Sequence, residues 1–338
     1  MSITNPNRKH PKRAVLLLAH GTPETVEQIP EYLRNVVSGR PLPQAVIEEI
    51  QHRYALIGRS PLTEITLQQA RLVEKKLAEA ESAAHGHPVP VYVGMRNWRP
   101  YIPDVVSQMR ADGVEEAAVI CMAPQNSRTS VGLYERAVKA EAGALRVDFT
   151  RGWARHPLLA EAFAERLRAA QSRLAADTGA PVPVLFTAHS VPTRTVEPPS
   201  ADEAQPQHWP AGTADPYAEE ARHTAELVAD RVPGIPQWWF AFQSQGVSGG
   251  PWIGPTVENT LDAIAAAGVK TLILQPIGFL CDHVEILYDV DILFREYAVK
   301  LGIRLERPES LNASSTLARA VADLARESLA RLRDSAVR

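Results

Sequence analysis

Cysteine is nearly missing from this chain. There are two, Cys121 and Cys281, in 338 residues. Two thiols cannot build a disulfide framework, a four-cysteine zinc site or a self-contained iron–sulfur cluster. A surplus of charge is missing too. Lys and Arg number 36 against 39 Asp and Glu, a formal net charge of −3. No global field therefore favours nucleic acid or an anionic membrane. Long apolar runs are absent as well. The longest, such as Ala14 to Ala19, are strand-sized, far short of the roughly 18 residues that cross a bilayer. The polar, basic stretch from Met1 to Arg13 leads into no apolar core of signal-peptide length; residues 1–13 are expected to be disordered. What remains is a globular chain, 45% hydrophobic and too apolar for disorder over most of its length. A reducing, cytoplasmic setting is the natural expectation.

What is present is alternation. Ala14–Ala19, Val89–Val93, Glu116–Met122, Val182–Thr187, Trp238–Phe242 and Thr271–Leu274 read as strands. Helical patterns stand between and after them, over Gln44–Tyr54, Thr63–Ala84, Tyr101–Asp112, Leu158–Ala176, Pro216–Val232, Thr256–Ala267, Val284–Leu301 and Ser314–Ala336. Strand–helix alternation predicts an α/β fold of parallel sheets covered on both faces. There is also an internal echo. Val15-Leu-Leu-Leu-Ala-His20-Gly-Thr-Pro23 resembles Val184-Leu-Phe-Thr-Ala-His189-Ser-Val-Pro192. Gly113-Val, followed by Ala118 to Pro124, parallels Gly268-Val followed by Leu272 to Pro276. The echo points to two similar domains, 14–150 and 151–338, related by duplication; the final helix is a candidate to pack back on the first. Thr195 to Asp215, rich in proline, reads as a loop beside His189, either shaping a site or a tolerated insertion.

Chemistry in open α/β sheets gathers at the carboxyl ends of the strands. His20 and His189 both fall there, one per half. A lone histidine at such an end is usually a satisfied polar residue; two at equivalent places point to a shared site. A second constellation is Gly278-Phe-Leu-Cys281-Asp-His-Val-Glu285-Ile-Leu-Tyr288-Asp289, which follows a strand and opens a helix. Asp282, Glu285, Asp289 and Glu296 recur there at helical spacing and are expected to share a face. Such a face is either solvated, or, with imidazoles nearby, suited to a divalent metal. Trp98, Trp238, Trp239 and Trp252 could wall a flat aromatic ligand or fill cores; Trp252 reads as the more structural. Met95, Arg96 and Asn97 are placed to line a cleft, and His283 and Tyr288 read as motif structure and packing.

At this point the chain resembles the ferrochelatases, enzymes that insert ferrous iron into a porphyrin. The residues that carry the resemblance are Gly21-Thr-Pro-Glu24, Ile57-Gly-Arg-Ser-Pro-Leu62, Phe186-Thr-Ala-His-Ser-Val-Pro192, Phe242-Gln-Ser244 with Pro251-Trp-Ile-Gly-Pro255, and Pro276 to Asp289. It runs from about Ala14 to about Leu332. The resemblance implies two Rossmann-like, chelatase-type domains with a porphyrin cleft between them. It implies His189 and Glu285 as the catalytic and metal-handling pair, and Asp289 and Glu296 as a relay for protons or metal. It also implies a π-type distortion in their helix. Arg40, Arg53, Ser60 and Tyr134 match positions that contact porphyrin carboxylates or the site wall.

Fe²⁺ and porphyrin enter as substrates; no prosthetic group, iron–sulfur cluster, nucleic acid or membrane span is expected, and a monomer is. The absence of C-terminal cysteines brings the chain nearer to the soluble bacterial enzymes that make coprohaem from coproporphyrin III than to protoporphyrin IX enzymes. Two departures stand out. That group commonly has tyrosine where this chain has His20, which makes His20 a candidate ligand of product iron or else a hydrogen-bonded cleft residue. A basic residue is also common shortly before Gly39-Arg40, where this chain has Val37 and Ser38. Other readings are a cobalt or nickel chelatase of another tetrapyrrole, and a haem-binding or delivery protein without catalysis.

Overall fold

A computed structural model describes residues 12–82, 89–197, 214–245 and 250–335. Strands β1 (Arg13–Ala19), β2 (Val91–Met95), β3 (Glu116–Cys121) and β4 (Arg146–Thr150) form one parallel sheet in the order β2-β1-β3-β4. Strands β5 (Val184–His189), β6 (Trp238–Gln243), β7 (Thr271–Pro276) and β8 (Arg304–Glu306) form a second in the order β6-β5-β7-β8. The two orders are the same, so the sequence echo is matched strand for strand. The helices are α1 (Ile29–Val36), α2 (Gln44–Ile57), α3 (Leu62–Ser82), α4 (Ile102–Ala111), α5 (Val131–Glu141), α6 (Pro157–Thr178), α7 (Thr193–Val196), α8 (Tyr217–Asp230) and α9 (Val257–Ala266). A π-helix (Glu285–Phe294) then runs into α10 (Arg295–Lys300), and α11 (Ser315–Ser335) is last. The chain is α/β, with two Rossmann-like sheets flanked by helices.

The strands explain themselves. In β1 every residue from Ala14 to Leu18 is fully buried. Val15 and Leu17 point into one apolar cluster, and Ala14, Leu16 and Leu18 into another on the opposite face. A strand covered on both sides reads as a continuous apolar run rather than an alternation. Helix starts are equally local. Thr256 accepts a hydrogen bond from the Asn259 N–H at 3.2 Å to open α9, and Pro157 stands at the first turn of α6, where its missing N–H costs nothing.

Three sequence expectations need adjusting. β1 begins at Arg13, which was expected to lie in the disordered lead; its guanidinium is 3.2 Å from the buried carboxylate of Glu116. Residues 1–11 lie outside the described residues. Of the expected loop from Thr195 to Asp215, Thr195 and Val196 belong to α7, and 198–213 lie outside the described residues. β4, β8, α1 and α5 carried no sequence signal that singled them out. β4 alternates polar residues on a sheet edge, and β8 is three residues long.

The last helix covers the first sheet. α11 packs against α3, β3, β4 and α6. Ser328 Oγ donates to the Asp148 carbonyl at 3.2 Å, and Arg331 Nη2 to the Asp148 carboxylate at 2.8 Å. One apolar cluster runs from Val15 and Leu17 through Phe186 to Leu332, so the two halves share a core. Among the described residues no helix is long and apolar enough to cross a membrane.

Candidate active site

The site forms where the two sheets present their carboxyl ends. β1 delivers His20 and then must turn at once. Gly21 does so at φ +79°, and a Cβ there would lie 2.8 Å from the Met95 Cβ and 3.0 Å from the Trp98 backbone N. Only glycine fits that approach at that φ. The His20 ring is held by the Tyr32 hydroxyl, 2.9 Å from Nε2, and by the Asn97 side-chain amide at 3.1 Å. Burial pushes the His20 pKa down to about 4, against the pull of Glu285 and with help from Arg96, His283 and His189. This imidazole is neutral at physiological pH.

β5 delivers His189, whose carbonyl accepts the Tyr217 hydroxyl at 2.8 Å. The chain leaving β7 passes close beside it. Gly278 permits this: a Cβ would meet Ala188 Cβ at 3.1 Å and Ala188 Cα at 3.2 Å. Phe279 then stands edge-on to the His189 ring, with centroids 6.3 Å apart. The turn opens the π-helix, whose first residue is Glu285. Its Oε1 is 3.2 Å from His189 Nε2, and its Oε2 is 3.4 Å from His283 Nε2. His283 Nδ1 lies 3.0 Å from the Cys281 carbonyl. A carbonyl only accepts, so Nδ1 is the donor there.

The charges sort the pair. Burial by itself would lower the His189 pKa, but the Glu285 carboxylate overrides it by charge and hydrogen bond, and the net shift is upward. Burial likewise opposes ionisation of Glu285, yet His189 and His283 together hold its carboxyl well below the usual range. The two side chains are 31% and 32% exposed, and that exposure faces a cavity of about 400 Å³. Both halves line it: His20, Arg96 and Tyr134 from the first, His189, Trp252 and Glu285 from the second. Ser127, Thr129 and Ser130 add hydroxyls at the entry to α5. Gln125 ties the halves together beneath the cavity, its Nε2 3.2 Å from both Thr224 Oγ1 and the Ile277 carbonyl.

Of the residues singled out by sequence, His20, Arg96, Tyr134, His189, His283 and Glu285 line the cavity, and Arg40, Arg53, Ser60, Met95, Asn97, Asp289 and Glu296 do not. Arg40 is exposed and donates to the Val37 carbonyl at 3.1 Å. Arg53 bonds Glu49 at 2.9 Å, faces Asp289 at 3.5 Å, and stacks over the Tyr288 ring. Ser60 is buried, and its carbonyl accepts from Thr22. Asp289 is buried behind Glu285 and accepts from Ser244 Oγ. Burial raises its pKa to about 6, although the Ser244 hydrogen bond works the other way. Glu296 is exposed on α10.

The expected four-carboxylate face is therefore reduced. Asp282 precedes the helix and is taken by Ser310 and Asn312, at 2.7 and 2.8 Å. The π geometry also changes the period, leaving Glu285 and Asp289 as the inward pair. Trp252, read as structural, lines the cavity; Trp98 is buried beside Tyr32. Tyr32 and Tyr217 carried no sequence signal, because they arrive from helices remote from the strand ends. Among the described residues no group of three His, Cys, Asp or Glu could hold a metal ion.

The ferrochelatase family model matches residues 12–329. A ferrochelatase from Acidobacterium capsulatum is 59% identical over 325 residues, covering 96% of this chain and 97% of the relative. A coproporphyrin III ferrochelatase from Mycolicibacterium vanbaalenii is 35% identical over 318 residues, 92% of this chain and 88% of the relative. The fold is similar to that of the sirohydrochlorin chelatase SirB from Bacillus subtilis subspecies spizizenii in complex with cobalt. There the TM-score is 0.52 at 9% identity, covering 94% and 95% of the two chains. The chain belongs to the ferrochelatase family and is an enzyme that inserts metal into a porphyrin.

Proposed function

We propose that this ferrochelatase acts on coproporphyrin III, with His189 and Glu285 as the working pair. The observation that carries the pair is the 3.2 Å contact between His189 Nε2 and Glu285 Oε1, open to a cavity built by both halves. Insertion of Fe²⁺ displaces two pyrrole N–H protons. His189 accepts a proton once Glu285 takes up metal and no longer holds the imidazole in its charged form. Glu285 supplies a hard oxygen for the hydrated ferrous ion. Asp289, with a pKa near 6, is matched to take protons on from the cavity at neutral pH. The preference for four carboxylates over two is supported by Arg96, Tyr134 and the hydroxyls of Ser127, Thr129 and Ser130 around the cavity, and by the relative named for coproporphyrin III.

His20 completes the reading as a ligand of product iron. A ligand imidazole must be neutral, and burial keeps this one so.

Steady-state Fe²⁺ insertion under anaerobic conditions, with coproporphyrin III and protoporphyrin IX side by side, tests the substrate. A faster or equal reaction with protoporphyrin IX overturns the preference. His189→Ala and Glu285→Gln each lower turnover by about 10²–10⁴-fold while the fold survives; near-normal turnover in both sinks the mechanism. His20→Ala shifts the visible spectrum of the haem complex, whereas an unchanged spectrum removes His20 as a ligand. Tight haem binding without any metallation would favour a delivery protein instead.

A further inference from the structure

The π-helix has to be held in place. Its wider i→i+5 turns are rarely adopted, yet Glu285 and Asp289 both sit in them. Arg307, on the segment after β8, reaches that helix from outside the cavity and is 13% exposed. Its Nε and Nη2 donate to the two carboxylate oxygens of Asp291, each at 2.7 Å. Its Nη1 lies 3.2 Å from Asp282 Oδ1 and donates to Ser310 Oγ at 3.0 Å and to the Pro308 carbonyl at 3.2 Å. Asp282 is further fixed by Ser310, by the Asn312 side-chain amide, and by its own N–H donating to Asn312 Oδ1 at 2.9 Å. A single guanidinium thus closes the stretch 282–291. His283, Glu285 and Asp289 all lie inside the loop it closes. Arg295 also approaches Asp291, at 3.9 Å, but it lies on the same continuous helix and cannot anchor it to anything else.

We infer that Arg307 is a positioning residue for metal insertion: by bridging Asp282 and Asp291 it sets the register of the π-helix and so the aim of Glu285 at His189. The inference rests on the reading of Glu285 given above. A bidentate guanidinium–carboxylate pair fixes direction as well as distance, and an ammonium cannot copy it. An α-helix over the same residues advances by a different angle per residue, so a helix released from the bracket would turn Asp289 and Glu285 relative to His189. Arg307, Asp282 and Asp291 do not line the cavity, so porphyrin affinity has no direct reason to change.

The test uses Arg307→Lys, Arg307→Met, Asp291→Asn and the double variant Arg307→Met/Asp291→Asn, with Glu285→Gln as reference. Turnover, porphyrin Kd by fluorescence quenching and thermal stability are read for each. Arg307→Lys and Asp291→Asn are expected to lose about 10–100-fold in kcat, with Kd changed by less than about twofold. The double variant is expected to lose no more than the worse single one. A purely structural role would lower the melting temperature and leave kcat of the folded enzyme intact. If Arg307→Met does not fold, Arg307→Lys and Asp291→Asn decide. Normal kcat in these two, with Glu285→Gln inactive, overturns the bracket. Normal kcat in Glu285→Gln overturns the reading beneath it.

Discussion

The two strand-end histidines show how far burial and neighbours can separate identical side chains. For His20, burial outweighs the pull of Glu285 and drives it toward the neutral form. His189 has Glu285 at 3.2 Å and is driven toward the charged form. Asp289 is the third group whose environment is tuned. Its pKa rises from 3.8 to about 6, so across that window the folded protein binds a proton that the unfolded chain releases. Stability from this group is therefore lost as pH climbs through about 4 to 6. Asp289→Asn removes that slope. It is expected to raise stability near pH 7 by about 1–3 kcal/mol, while slowing insertion. Urea denaturation at about pH 5 and about pH 7 checks it; an unchanged pH slope refutes the assignment. Arg53, which faces Asp289, keeps Glu49 as a partner in the variant.

At the scale of elements, legibility followed burial. The Ala-His strand ends were readable because β1 and β5 are buried on both faces and stand out as apolar runs. So was the Gly278–Asp289 motif. β4 was not, since Arg146, Asp148 and Thr150 on an edge strand look like a loop. Arg40 and Arg53 were named by resemblance to family positions; Arg40 donates to the nearby Val37 carbonyl, while Arg53 bonds Glu49 on its own helix and reaches Asp289 and Tyr288 on the π-helix. Tyr32 and Tyr217 were unreadable, because only tertiary packing brings them to the two histidines, while Asn97, read as a cleft residue, bonds His20. The turn after β1 is the element most sensitive to a single atom. Gly21→Ala adds a Cβ against Met95 and Trp98 at positive φ. The expected cost is about 2–4 kcal/mol, measured by denaturation, together with loss of the His20-dependent haem spectrum. A variant as stable as the parent would show that the turn can relax.

The whole molecule is two matching sheets with one shared core and one cavity between their edges. Because the largest apolar cluster spans residues from Val15 to Leu332, the halves are expected to unfold together. A calorimetric scan should show a single transition with equal calorimetric and van't Hoff enthalpies; two resolved transitions would contradict the shared core. α11 matters most here, since the last helix in sequence lies on the first sheet. During synthesis β1 to β4 leave the ribosome long before residues 315–335 exist. α3 can already cover β1 and β2, but the part of the face over β3 and β4 that α11 takes waits uncovered while the second half is made. The order of translation and the order of folding therefore run against each other, and the nascent first half is the state most exposed to aggregation and most in need of a chaperone.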